Sequence, residues 1–267
     1  MTEKIKLYDD SKCTACRGCQ LACKQWNELK ARQTQQQGTY QNPPSLQTNT
    51  YMLIHFQDYV SPEGDIKWLF RKEACMHCTD AACVTVCPSG ALYYNKEMGT
   101  VGLDREKCIG CKECLTACPF LVPRYDSKSA KVFKCDMCES RIVNNLEPAC
   151  VKACPTGALA WGEKDKILEI AHKRAEELGG NATTYGDEFV GGTHFMYVLK
   201  EKPEIYAEIN KKPRVPLSVV LWKSWLKPLS LLAAGGALGG SILHYILHGP
   251  KRPDPEQGTD VKTEGGE

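Results

Sequence analysis

The chain has 267 residues, a formal net charge of +2, 42% hydrophobic residues and 25% charged residues. Near-neutral charge gives no electrostatic case for a nucleic-acid or acidic partner, and the composition is ordinary for a globular chain. Cysteine is the exception, because sixteen are present.

Residues 1–12 (MTEKIKLYDDSK) contain no apolar stretch and are not expected to act as a secretory signal. The first cysteine group follows at once: Cys13, Cys16, Cys19 and Cys23, spaced C-x2-C-x2-C-x3-C. The stretch 31–48 is rich in Gln, contains Pro43–Pro44, and reads as a loop. Residues 50–59 and 65–71 read as strands joined by the turn SPEGD. The second group is Cys75, Cys78, Cys83 and Cys87, with Pro88 after it. The third is Cys108, Cys111, Cys114 and Cys118, again C-x2-C-x2-C-x3-C, before Pro119. The fourth is Cys135, Cys138, Cys150 and Cys154, before Pro155. Beyond it, 163–178 has Ile167, Leu168, Ile170, Ala171, Ala175 and Leu178 at helical spacing and ends at Gly179–Gly180, while 194–199 suggests a strand.

The run C-x2-C-x2-C-x3-C-P is the bacterial ferredoxin signature for [4Fe–4S] clusters. A cubane offers four iron corners, and soft thiolates are the ligands that such clusters select. Three cysteines two residues apart can wrap a tight loop round three corners. The fourth, before a proline, is expected to start a short helix leading away. Sixteen thiolates satisfy four cubanes with none left over. The fourth group alone, with its long middle gap, is also compatible with zinc. Two intact ferredoxin runs in one chain argue against zinc throughout, and C-x2-C spacing suits disulfide bridges poorly.

An internal repeat sets the pairing. ACVTVCPSGAL at 82–92 and ACVKACPTGAL at 149–159 agree at eight of eleven positions, and CTACRGCQLAC at 13–23 echoes CIGCKECLTAC at 108–118. In two-cluster ferredoxins the fourth cysteine of one motif ligates the other cluster. The expected sets are therefore Cys13, Cys16, Cys19 with Cys154 (A); Cys135, Cys138, Cys150 with Cys23 (B); Cys75, Cys78, Cys83 with Cys118 (C); and Cys108, Cys111, Cys114 with Cys87 (D). The fold class is α+β: two ferredoxin-like units related by the repeat, one inserted in the other, plus one C-terminal transmembrane helix. The outer unit takes 1–30 and 127–200, the inserted unit 72–126, and 31–71 covers them as loop and hairpin. With so small an apolar core, the clusters must hold much of the fold together. His55, His77, His172 and His194 are read as packing or surface residues, since the cysteine count already closes.

After a linker and interface entry at 201–228, residues 229–247 run nineteen positions without Asp, Glu, Lys or Arg. A helix of that length spans roughly 28 Å, near the hydrocarbon thickness of a bilayer. Trp222, Trp225 and Tyr245 flank it as interfacial aromatics do. Gly235-x3-Gly239 and Gly236-x3-Gly240 provide small faces on which a second membrane helix can pack closely. His244 and His248, one turn apart, could ligate a haem, but an interfacial pair is the plainer reading. The polar tail 248–267 is expected to be disordered.

The chain resembles the iron–sulfur (beta) subunit of membrane-bound respiratory formate dehydrogenase of the nitrate-inducible type. The carrying stretches are CTACRGCQLACKQWN at 13–27, KWLFRKEACMHC at 67–78, CPFLVPR at 118–124, EPACVKACPTGA at 147–158, GGTHFMYVL at 191–199, SVVLWKSWLKPL at 218–229 and HYILHGP at 244–250. It departs from that family in having no long extension before the first cysteine group. The resemblance implies a non-catalytic electron-transfer subunit with four [4Fe–4S] clusters. It also implies a catalytic alpha subunit with a molybdenum or tungsten bis-pterin that oxidises formate, and a membrane cytochrome b gamma subunit that reduces quinone. It implies an inner-membrane, single-pass protein whose cluster domain is exported folded to the periplasm. Charge counting alone, with Lys211, Lys212, Arg214, Lys223 and Lys227 before the anchor against Lys251 and Arg252 after it, favours the domain inside. A folded domain carried by a partner need not obey that rule. No residue reads as catalytic, and no small-molecule substrate site or nucleic-acid partner is expected. The same relay serving another molybdopterin oxidoreductase or a hydrogenase is the nearest alternative, and a zinc-based interaction module a distant one.

Overall fold

The computed structural model describes residues 3–36, 38–221 and 225–249. Trp222, Lys223 and the tail from residue 250 onward, with Lys251 and Arg252, lie outside the described residues. Two units are present, Met1–Val219 and Val220–Glu267.

The first unit is organised by a four-stranded sheet in the order β8-β1-β10-β9. Its central strand, β1 (Lys4–Asp9), pairs antiparallel with β8 (Leu159–Glu163) and parallel with β10 (Phe195–Leu199), and β9 (Thr183–Tyr185) closes the far edge. Sequence reading anticipated β10 but not β1, because KIKLYD intersperses lysines with its apolar residues. The alternation is nevertheless that of a strand buried on both faces. Ile5 and Leu7 join Met196, Val198, Ile167 and Ala171 in a core beneath helix α6 (Lys164–Leu178). Tyr8, Phe195 and Tyr197 point the other way, into the main core that contains cysteines of all groups but the third run's loop. Lys6 shares that second face and is fully buried. Gly179 (φ +61°) and Gly180 (φ +59°) end α6 with the left-handed backbone that glycine tolerates.

The expected hairpin is β2 (Leu53–Val60) with β3 (Ile66–Glu73), shifted one to three residues from the sequence reading. It is tied to the sheet by Tyr8 Oη donating to the Phe70 carbonyl at 2.7 Å and Tyr197 Oη donating to the Lys72 carbonyl at 2.9 Å. Two smaller hairpins, β4–β5 (Leu92–Asn95, Thr100–Leu103) and β6–β7 (Arg124–Asp126, Lys131–Phe133), are too short to declare a period in sequence.

One expectation is corrected. The short helices do not start at the fourth cysteine of each group but run up to it: α2 (Ala82–Thr85), α3 (Glu113–Ala117) and α5 (Ala149–Lys152) end just before Cys87, Cys118 and Cys154. The proline after each of these cysteines is the cause, since the residue preceding proline is pushed out of helical space. Cys118 accordingly sits at φ −74°, ψ 115°. The first group has no such proline, and α1 (Gly18–Trp26) runs on past Cys23. A one-turn helix α4 (Glu139–Ile142) follows Cys138.

The second unit contains α8 (Lys227–His248), long and apolar enough to cross a membrane, with none of its side chains buried. It extends the expected span by two residues at the start, where Pro228 fits the first helical turn, and by one at the end. At 1.5 Å per residue it is about 33 Å long. No other atom lies within 4 Å of a Cβ built on Gly235, Gly236, Gly239 or Gly240. The His244 and His248 rings stack at 4.9 Å on its exposed surface.

Asp10 is the most deeply buried acid among the described residues. It is fully buried, accepts the Tyr206 hydroxyl proton, and lies 3.8 Å from Lys200 Nζ. Burial pushes its pKa up to about 6, against the lowering effect of Tyr206 and Lys200. A carboxyl whose folded pKa is raised contributes stability below its unfolded pKa and loses it as pH rises through the folded one. The amount is at most about 3 kcal/mol. Asp10→Asn keeps an acceptor for Tyr206 without the charge. Thermal unfolding measured from pH 4 to pH 8 should show the parent losing stability relative to this variant as pH rises from about 4 to about 6, with no further loss above it; parallel curves would contradict it.

Candidate metal centres

All sixteen cysteines are free thiols. Each group turns on the same backbone feature. The residue just before the second cysteine has a positive φ in all four: Ala15 (52°), His77 (49°), Gly110 (71°) and Met137 (62°). Three of these are not glycine, so the loops hold strain of order 1–3 kcal/mol per residue, which persists only when the surroundings impose it. The turn brings the backbone amide of Ala15 to 3.4 Å from Cys13 Sγ and that of Met137 to 3.4 Å from Cys135 Sγ. At Gly110 a Cβ would meet the Ala130 carbonyl oxygen at 2.4 Å, so the third loop has no room for a side chain there.

In three places the thiols of one group gather with a cysteine of another. Burial pushes the Cys23 thiol well above its usual range, and Cys135, Cys150 and Cys138 push it further. The same four cysteines line one small cavity with Lys6, Asp136 and Met137. A second cavity is lined by Cys87, Cys108, Cys111 and Cys114. Cys78 is raised by burial and then by Cys75, Cys118 and Cys83. Cys13 is raised chiefly by burial, with Cys19 adding to it. Helices α1 and α5 are in contact, and a Cβ on Gly18 would lie 3.6 Å from Cys16 Sγ and 3.4 Å from the carbonyl oxygen of Ala153, the neighbour of Cys154.

Between these gatherings the thiols also feel one another. Cys135 is raised first by burial and in part by Cys75, and Cys83, pushed up to about 12 chiefly by burial, is raised in part by Cys114. Of the sixteen, Cys16 and Cys111 are exposed.

The repeated segment after the second and fourth groups builds the same cradle twice. Burial tends to raise Cys87 and Cys154, but hydrogen bonds outweigh it and both fall below the usual thiol value. The donors are the backbone N–H groups of Leu92, Ala91 and Ser89 at Cys87 and of Leu159, Thr156 and Ala158 at Cys154. The hydroxyls of Ser89 and Thr156 stand 3.7 Å and 3.8 Å from the two sulfurs.

Among the described residues no three His, Cys, Asp or Glu side chains converge on the point a single metal ion would need. One zinc ion holds its thiolates at about 2.3 Å and so crowds them. A cubane spreads four thiolates over four iron corners. An all-thiolate donor set, gathered in fours and supplied with N–H donors, fits the wider object.

The four histidines outside the membrane helix are engaged in packing. His55 Nε2 lies 2.5 Å from Glu73 Oε2, and His77 Nδ1 accepts from the Val101 amide at 3.0 Å. His194 Nδ1 donates to the His77 carbonyl at 2.9 Å, with Glu3 on its other nitrogen, and His172 pairs with Asp187 at 3.2 Å. Sequence reading missed the buried lysines Lys6, Lys72 and Lys134. The available signal was positional: Lys72 faces inward on β3, and Lys134 directly precedes a cysteine.

Fold and thiol arrangement define a dicluster iron–sulfur protein. The 4Fe-4S dicluster domain families match residues 12–91 and 66–164, and the family described as formate dehydrogenase N, transmembrane matches 215–258. The nitrate-inducible formate dehydrogenase iron–sulfur subunit of Escherichia coli K12 is 40% identical over 94% of this chain and 87% of its own length. The formate dehydrogenase-O iron–sulfur subunit of the same organism is 38% identical over 96% and 87%. Formate dehydrogenase 2 subunit beta (cytochrome c-553) of Nitratidesulfovibrio vulgaris is 38% identical over 77% and 97%. The chain belongs to the family of formate dehydrogenase iron–sulfur subunits.

The two cradles yield a prediction. Ser89→Ala and Thr156→Ala each remove one donor from a thiolate and should lower the midpoint potential of one cluster, by up to about 60 mV for a bond worth about 1.4 kcal/mol. Potentials unchanged in both variants in a redox titration followed by paramagnetic resonance would show that the hydroxyls contribute nothing.

Proposed function

We propose that this chain is the non-catalytic, electron-transferring subunit of a formate dehydrogenase, and that it holds four [4Fe–4S] clusters in the cross-wired sets A to D. The observation that carries this is the gathering of Cys23 with Cys135, Cys138 and Cys150, and of Cys87 with Cys108, Cys111 and Cys114, around one cavity each. Family membership supports the same reading. When bound, the clusters supply one-electron exchange without proton chemistry.

The chain's own part is to hold the thiolates, exclude water and order the sets. The neighbouring thiols Cys135 and Cys75 put set B beside set C, and Cys83 and Cys114 put C beside D. Lys72, flanked by Cys19 and by Cys150 and Cys23, puts A beside B. The order is therefore A, B, C, D, with the exposed Cys16 and Cys111 at its two ends. Electrons from formate, oxidised on a molybdenum or tungsten bis-pterin subunit, enter at one exposed end and leave at the other. The pairing of β1 with β8 and β10 supports an outer unit built from 1–30 and 127–200 round an inserted unit at 72–126. Helix α8 anchors the chain in the inner membrane, its glycine face packs against a cytochrome b subunit that passes electrons to quinone, and the cluster unit faces the periplasm.

Three measurements test this reading. Purified protein should contain about sixteen irons and as much acid-labile sulfide per chain; stoichiometric zinc in any set would sink it. Cys23→Ser should abolish or alter the cluster held by Cys135, Cys138 and Cys150 and leave the set at Cys13, Cys16 and Cys19 in place. In the membrane, Gly235→Leu keeps α8 apolar but blocks close approach, so the purified complex should lose cytochrome b while the chain stays membrane-bound. Retention of a full complement of cytochrome would remove the packing role assigned to this face.

A further inference from the structure

Among the described residues three lysines are buried: Lys6 and Lys72 at 0% exposure and Lys134 at 4%. Lysine is almost never fully buried unless it is paired. Yet Lys6 Nζ and Lys72 Nζ make no hydrogen bond. Lys6 Nζ sits 3.9 Å above the Phe195 ring, and Lys134 Nζ donates to the carbonyls of Val101 and Cys135, the latter at 2.9 Å. The buried carboxylates do not neutralise them, because Asp9 is held by Arg174, Asp10 by Tyr206 and Glu201 by Lys67. What faces these amines is sulfur. Lys6 lines the cavity of Cys23, Cys135, Cys138 and Cys150. Buried Lys72 has Cys19, Cys150 and Cys23 as its charged neighbours. Lys134, whose Nζ is bound to the Cys135 carbonyl, has Cys75 and Cys83 as its further sulfur neighbours.

The three amines are not shared evenly. Set B is faced by all three, set A by Lys72 and set C by Lys134. Set D has exposed Lys112 on its cavity wall and partly buried Lys131 on the Cys108 carbonyl, both open to screening by solvent and salt. One group opposes the trend: half-buried Asp136 lines the set B cavity and accepts the Cys138 amide at 2.8 Å. Three cations against one anion leave set B the most positive surroundings of the four. Reducing a cluster adds negative charge, and a fixed cation nearby in a low-dielectric interior favours that charge.

We propose that Lys6, Lys72 and Lys134 make the cluster of Cys23, Cys135, Cys138 and Cys150 the most easily reduced of the four, so that an electron rests there between transfers. This builds on the cross-wired sets proposed above. The lysines are positioning residues for the redox step: they touch no substrate and act by charge alone.

The test is a redox titration followed by paramagnetic resonance on the full-length chain purified from its membrane with the subunits that accompany it. The signal altered by Cys23→Ser identifies set B. In the parent that signal should appear at the highest potential. In Lys72→Met and in Lys6→Met its reduced-to-oxidised ratio at fixed poise should fall about tenfold, which is about 59 mV for one electron. Lys72→Arg, which keeps the charge, should restore most of it, and exposed Lys166→Met should change nothing. An unmoved set B signal in loaded Lys72→Met and Lys6→Met protein would overturn the proposal. So would loss of iron from Lys6→Met, Lys72→Met and Lys134→Met alike, which would show that the amines hold the fold rather than set a potential. If the signal that shifts is not the one altered by Cys23→Ser, the wiring fails, while the effect of charge is read on whichever cluster responds.

Discussion

Everything in the first unit follows from burying sixteen thiols in about two hundred residues of chain. A thiolate taken out of water is costly unless donors, cations or metal meet it. The chain supplies each of these in a distinct way. Tight loops with positive φ aim backbone amides at sulfur, and buried lysines stand among the thiols. The fours into which the cysteines gather give iron its ligands. The raised thiol pKa values at Cys23, Cys78 and Cys114 record what that burial costs when the sulfur carries its charge alone. The apolar clusters are interleaved with the cysteines, so filling the sites and packing the core draw on the same residues.

The two cradles and the two halves of the unit share a plan with local differences that matter. Cys87 and Cys154 sit in equivalent loops and have the same donors. The first group lacks the proline that ends the helix in the other three, so α1 runs three residues beyond Cys23 to Trp26, whose ring the Arg141 guanidinium of α4 covers at 4.5 Å. The β1–β10 parallel pair joins segments nearly 190 residues apart, and the β1–β8 pair on the other edge of β1 carries the first cysteine group to the fourth. Long-range pairing of that kind is slow to form.

Helix α8 obeys different physics. Its exposed surface is apolar from Leu229 to Leu247, as lipid requires, and its four glycines leave one flank open for another backbone. Among the described residues of its unit nothing covers that flank, and the match of 215–258 to a formate dehydrogenase transmembrane family agrees with a membrane role.

Part of the site was legible in the chain itself. The cysteine groups and the repeat are written in spacing, and the structure brings Cys23 to the fourth group and Cys87 to the third. The hairpin, α6, β10 and the membrane helix were legible from periodicity and length. Where the short helices lie relative to the fourth cysteine was misread, although Pro88, Pro119 and Pro155 carried the information. Tertiary structure alone decided the placement of β1, whose lysines disguise a doubly buried strand, and with it the inward direction of Lys6. It also decided that Lys72 and Lys134 are buried and which thiols they face. A lysine in sequence is indistinguishable from a surface lysine; only the packing of β3 against the sheet, and of the fourth loop against the second, turns these three into fixed charges at the heart of the fold.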